Sequence, residues 1–261
     1  MKSKVEPITS AAVINPSCPW KLTWSRCEFP KYLTTMSATE WKALLAKASQ
    51  DDAEAEYRIA GVYSDGCKDR HGKIVVHISP RMAVKWNRRS AEHGSADAQG
   101  ALGYLLSEGI GVKRDSREAL LWMRRAFLNG ETFAAPNNIA ITYRQIGNLR
   151  QAVRWFNKCA DLGDDDALVQ LGVHYYWGKG VRTDYAAAVR CFRRAIKGKN
   201  ISEWVRADAF FYLGIAYLEG KGVRRSLRLA EKCLERANKD NDHAAAERLL
   251  KKMLKLTGRR Q

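Results

Sequence analysis

Small and large apolar residues recur along this chain at helical spacing. Three stretches align without gaps: ADAQGALGYLLSEGIGVKRD from Ala96, DDALVQLGVHYYWGKGVRTD from Asp165 and ADAFFYLGIAYLEGKGVRRS from Ala207. Two diverged copies begin at Ala55 and Ala134. One column reads Ala55, Ala98, Ala135, Ala167 and Ala209, and four residues on come Ile59, Leu102, Ile139, Leu171 and Leu213. The next column is small (Ala60, Gly103, Ala140, Gly172, Gly214), and three further on stand Tyr63, Leu106, Tyr143, Tyr175 and Tyr217. Offsets of four, one and three share a helical face. The small column predicts close approach of a second helix. Gly109-Ile-Gly111, Gly178-Lys-Gly180 and Gly220-Lys-Gly222 then predict helix stops, since glycine accepts the left-handed backbone such stops use.

The second helix repeats the logic. Its columns are Ala83, Ala119, Ala152, Ala188, Ala230; then Trp86, Trp122, Trp155, Cys191, Cys233; then Ser90, Ala126, Cys159, Ala195, Ala237. Spacings of three and four draw one buried stripe. Gly94, Gly130, Gly163, Gly198 and Asn241 are its expected left-handed stops. Each unit is a helical hairpin that cannot bury its apolar face alone, so stacking is obligatory. The third copy lacks the Gly-x-Gly loop and turns at Gly147-Asn148, while the first carries an insertion from Cys67 to Pro80, read as a solvated loop. Ser37-Ala-Thr-Glu40 has the form of a capping box that starts a helix through Lys47.

These columns resemble the Sel1-like repeat, a relative of the tetratricopeptide repeat, over roughly residues 50–241. The expected fold is all-α: a right-handed α-solenoid of about five helix-turn-helix repeats at 50–94, 95–130, 131–163, 164–198 and 199–241. Residues 1–36 form an N-terminal arm or cap, 37–49 a first helix, and 242–261 a C-terminal capping helix with a basic tail. The resemblance also implies that first helices line an inner face. Positions opposite their buried stripe are Tyr57, Tyr104, Arg144, Val173, Tyr176, Trp177, Phe211, Ile215 and Leu218, an expected partner-binding groove unless neighbouring repeats cover it. Proteins of this family serve as adaptors, assembly factors and regulators, and some bacterial members neutralise a cognate toxin. The resemblance thus implies a non-catalytic role of adaptor, regulator or immunity type.

Charge adds a direction. The 261 residues carry 45 Lys and Arg against 28 Asp and Glu, a net +17. From Arg182 onward there are 20 basic and 9 acidic residues. Such a field favours acidic partners. Six residues after each second-helix alanine stand Arg89, Arg125, Lys158, Arg194 and Arg236; four earlier come Lys85, Leu121, Arg154, Arg190 and Lys232. The ridge formed by Arg89, Arg125, Arg154, Lys158, Arg190, Arg194 and Arg236 reads either as an ordinary solvated face or as an electrostatic capture surface for an acidic protein. The alternative partner is nucleic acid. The pattern places no exposed aromatics among these cations, which counts against single-strand binding.

Little else carries chemistry. Cys67, His71 and His77 match no standard zinc spacing, so neither metal nor cofactor is expected. The Gly-Lys-Gly loops follow helices rather than strands and lack the phosphate-loop ending. No paired carboxylates, nucleophile elbow or HExxH is present, so no catalytic residue is assigned. Cys191 and Cys233, standing where other copies have Trp, are expected to be buried and inert. Six cysteines without tight pair spacing and the lack of a long apolar run point to a cytoplasmic protein without a membrane span.

Overall fold

The computed structural model describes residues 35–199, 201–239 and 243–257. Twelve helices occupy them: α1 (Ala38–Ala48), α2 (Ala53–Asp65), α3 (Pro80–Glu92), α4 (Ala96–Glu108), α5 (Ser116–Leu128), α6 (Ala135–Gln145), α7 (Leu149–Asp161), α8 (Asp165–Trp177), α9 (Tyr185–Lys197), α10 (Glu203–Glu219), α11 (Leu227–Ala237) and α12 (Ala244–Thr257). The expected all-α solenoid class is the class observed. Most of the N-terminal arm, the stop at Asn241 and residues 258–261 lie outside the described residues.

Two compact units emerge, one ending at Asn148 and the other starting at Leu149, at the turn of the copy without a Gly-x-Gly loop. In the first, α1 packs on α2, α2 on α3, α3 on α4, α4 on α5 and α5 on α6. In the second the order runs α7, α8, α9, α10, α11, α12, with α8 also touching α10.

The alanine columns are the innermost positions: Ala98, Ala119, Ala135, Ala152, Ala188, Ala209 and Ala230 have no exposed surface. Without long side chains, paired helices come very close. A Cβ on Gly103 would stand 2.5 Å from Met123, and one on Gly172 would stand 2.3 Å from the Phe192 ring. Large residues then fill the gaps beside them. Ile59, Leu102 and Ile139 are fully buried in the first unit, as are Phe156, Phe192 and Leu234 in the second. Each contributes roughly 1.5–3 kcal/mol on leaving water.

Helix ends follow the expected chemistry. Ser37 and Glu40 close the capping box of α1. Asp52, Asp115, Asp164 and Asp184 cap α2, α5, α8 and α9 through the first backbone N–H groups. Ahead of α6 the Glu131 carboxylate accepts from the N–H groups of Phe133, Ala134 and Ala135, the last being the first residue of the helix. Gly109, Gly178 and Gly220 end α4, α8 and α10 in the left-handed region. The second glycine of each loop meets a neighbour: a Cβ on Gly111, Gly180 or Gly222 would stand 2.3–2.5 Å from the backbone of Pro80, Leu149 or Tyr185. Those are the first residues of α3, α7 and α9, so each loop seats on the second helix of the preceding copy.

Two expectations change. The insertion is not a plain loop: β1 (Cys67–Lys68) pairs antiparallel with β2 (Ile74–Val76), and Thr35 bridges to Lys68. Cys67 and Val76 on its inner side join Met36, Leu44 and Ile59 in the core, which explains why the segment is ordered. Gly198 stops α9 in an extended conformation, φ −62°, not a left-handed one. Its glycine answers to proximity instead, since a Cβ there would collide with the Asp165 carboxylate. Gly94, Gly130 and Gly163 are left-handed as expected.

Candidate interaction surface

The expected groove is partly filled. Tyr176, Phe211, Ile215 and Leu218 are buried, so they are core rather than contact residues. The reason is that a first helix packs against its own second helix and against its neighbours as well. The buried residues of α8 and α10 accordingly extend well beyond the expected stripe. The Tyr176 hydroxyl donates to Glu219 at 2.6 Å, and its ring meets Trp177 and Tyr185 edge-on at 5.1 Å. Burial and Glu219 push the Tyr176 phenol far above its usual range. Lys221 pairs with Glu219 at 3.0 Å and lies over the Tyr185 ring. Phe211 packs on His243, which bonds Asp208 at 3.2 Å and accepts from Ala246 N–H at the start of α12. Tyr57, Tyr104, Arg144, Val173 and Trp177 are half-buried.

The ridge fares differently. Arg125 on α5, Arg154 and Lys158 on α7, Arg190 and Arg194 on α9, and Arg236 on α11 are all exposed. Arg89 is engaged in a local network: its Nε stands 2.6 Å from Glu56 Oε1, and its Nη2 donates to Asp51 and to the Ala48 carbonyl at the end of α1. Glu56 has no exposed surface, and its other oxygen bonds His93 at 2.7 Å. Asp51, Glu56 and His93 lie close enough to hold a cation, but Arg89 already occupies both carboxylates. Cys67, His71 and His77 form no such group among the described residues.

Aromatic rings are interleaved with the ridge after all. Arg89, Arg125 and Lys158 lie over Trp86, Trp122 and Trp155 at 5.5–5.7 Å, and Arg236 over Phe210 at 5.4 Å. The tryptophan column sits half-buried at the edge of the stripe, three residues before its cation, which makes the pairing a property of helical spacing. Beside Arg236 a cleft of about 650 Å³ opens among α10, α11 and the start of α12, lined by Trp204, Phe210, Lys239 and His243. Trp204 is 75% exposed.

Sequence columns placed Leu121 of α5 in the otherwise basic ridge without giving it a role, and missed Leu128 on the same helix. Leu121 is 66% exposed and Leu128 81% exposed. A helical projection, reading Leu121 and Leu128 against the charged residues at those positions in the other second helices, would have found them.

Among the thiols, burial raises Cys67, Cys159, Cys191 and Cys233. Cys191 is half-buried, less enclosed than expected, and Arg190 and Arg194 partly offset its rise. All four are free. Among the described residues no helix is long and apolar enough to cross a membrane.

A family model of the Sel1 repeat matches residues 53–95, 96–131, 144–164, 165–200 and 207–242. Chitin synthase regulator SKT5 of Malassezia restricta is 31% identical over 118 residues, 41% of this chain and 8% of that protein. Chitin synthase regulatory factor 3 of Schizosaccharomyces pombe is 35% identical over 86 residues, 32% of this chain and again 8% of that protein. Among solved structures, c5321, a protective antigen of uropathogenic Escherichia coli strains displaying an SLR fold, superposes with a TM-score of 0.67 at 25% identity, over 84% of this chain and 44% of that one. A Sel1 repeat protein from Oxalobacter formigenes gives 0.64 at 22% identity, over 84% and 85%.

Proposed function

The chain belongs to the Sel1 repeat family, and on that premise we propose that it is a non-catalytic adaptor or regulator holding an acidic protein partner on its helical-repeat surface. The carrying observation is the set of exposed cations on α7, α9 and α11 of the second unit: Arg154, Lys158, Arg190, Arg194 and Arg236. Like charges held on folded helices repel one another, and an acidic surface relieves that repulsion while being steered toward it. The regulatory names of the two curated relatives support a regulator, although the aligned segment is 8% of each.

A second reading, nucleic-acid association, is favoured by the cations stacked over Trp122, Trp155 and Phe210. One experiment separates the two. The tagged chain is captured from its source cells with and without nuclease, beside a variant carrying R154E, K158E, R190E and R194E. Specific recovery of the same acidic protein, insensitive to nuclease and lost in the variant, is the expected result. Recovery that disappears with nuclease establishes the nucleic-acid reading, and equal recovery by the variant removes the cations from the account.

A further inference from the structure

The repeats provide their own comparison for α5. At the centre of the outer face of a second helix stand two positions seven residues apart. They are Lys85 and Glu92 on α3, Arg154 and Asp161 on α7, Arg190 and Lys197 on α9, and Lys232 on α11 with Lys239 just past its end, all charged and exposed. On α5 they are Leu121 and Leu128, and both are exposed. Buried Ala119, Leu120, Met123 and Ala126 fix the inward direction, and a turn of 100° per residue places the two leucines opposite it. Arg117 and Arg125 flank them on either side, both exposed. Arg124 is turned to Tyr143, whose hydroxyl it meets.

We infer that this face of α5 is the docking site for an amphipathic helix of a partner protein, apolar along one stripe and acidic on both flanks. The inference rests on the protein-binding reading above and names the surface and the partner chemistry. A seven-residue leucine spacing matches one heptad of a facing helix, whose apolar residues would pack around Leu121 and Leu128. Arg117 and Arg125 stand where flanking carboxylates of that helix would lie, and they set its orientation. Leucines set between arginines favour this occupant over a second copy and over a nucleic acid. A second copy would bring arginines against arginines. A phosphate backbone would satisfy the arginines but offers nothing apolar to the leucines. An anionic bilayer suits both residue types, and the test below includes it.

The test uses the full chain and a fluorescein-labelled 21-residue helical peptide with Leu at the a and d positions and Glu at e and g. Binding is read by fluorescence anisotropy. The matched variant is L121K/L128E, which installs the pair that α3 carries at the same positions, so the fold is expected to survive and circular dichroism verifies it. The proposal expects micromolar binding, weakened at least tenfold in the variant and at least threefold by R117Q/R125Q. A control peptide of identical composition with its apolar residues scattered should bind at least tenfold more weakly.

Wild-type chain that ignores the peptide overturns the inference, as does a variant that binds equally well. In the latter case the acidic-partner reading stands and only the surface is wrong. Leucine-dependent binding to vesicles of phosphatidylcholine and phosphatidylserine without peptide binding replaces the protein helix with a membrane. Leucine-dependent dimers in sedimentation replace it with a second copy.

Discussion

At the scale of single residues, the network at the first repeat joins three helices through one buried charge. Glu56 lies on α2, Arg89 and His93 at the end of α3, and Arg89 also reaches the carboxyl end of α1. Arg89→Ala strips Glu56 of its cation while leaving the carboxylate sealed from water. An uncompensated buried charge costs roughly 3–5 kcal/mol, and because Arg89 is 40% exposed and His93 remains, the expected loss is about 2 kcal/mol in a denaturant titration. Arg125→Ala, on an exposed site, is expected to change stability by less than about 0.5 kcal/mol. Glu118 gives a pH signature. A hydrogen bond from Arg88 at 2.5 Å holds its carboxyl below the usual carboxylate value of 4.5, with Trp122 adding a second donor. A carboxyl depressed on folding stabilises the native state fully above its unfolded value, and that contribution disappears as pH falls through the folded one. Urea midpoints measured from pH 7 to pH 3 are therefore expected to drop less in Glu118→Gln than in the wild type.

At the scale of helices and loops, the second glycine of each Gly-x-Gly loop does more than turn the chain. Gly111→Ala, Gly180→Ala and Gly222→Ala each combine a left-handed strain with a collision against backbone that belongs to another helix. Gly130→Ala imposes the strain alone, for nothing lies within 4 Å of its Cβ. Left-handed backbone costs a non-glycine residue roughly 1–2 kcal/mol. Thermal unfolding is expected to place the first three substitutions at least about 1 kcal/mol below Gly130→Ala. Column periodicity made the hairpins, their stops and the capping box legible, since each is a local pattern of residue size and backbone freedom. It could not tell which faces of the first helices stay open. Phe211 and Ile215 lie opposite their own stripe and are covered by other elements, and coverage of that kind is a tertiary fact. Nor could it separate Arg89 from Arg125, which share a column but differ in having a buried carboxylate beside them.

At the scale of the whole molecule, a net charge of +17 acts beyond any contact. The field steers encounter, and salt shortens its reach from about 30 Å at 0.01 M to about 8 Å at 0.15 M. The association rate with an acidic partner is expected to fall roughly tenfold between those conditions, with much less change in the dissociation rate, when followed by stopped-flow fluorescence. A partner recognised only through apolar contacts would show neither effect.

The seating of each Gly-x-Gly loop on the backbone of the previous hairpin has a bearing on how such a chain changes length. The closest approaches at that seam are mostly to main-chain atoms, so a hairpin whose two helices are joined by the loop is expected to fit behind any hairpin whose second helix begins alike. Whole modules can be duplicated or excised with the junction restored, whereas insertion of a partial module leaves a loop facing nothing. Variation by integral copies, with residue identity free to drift on the outer faces, is the form of evolution this geometry permits.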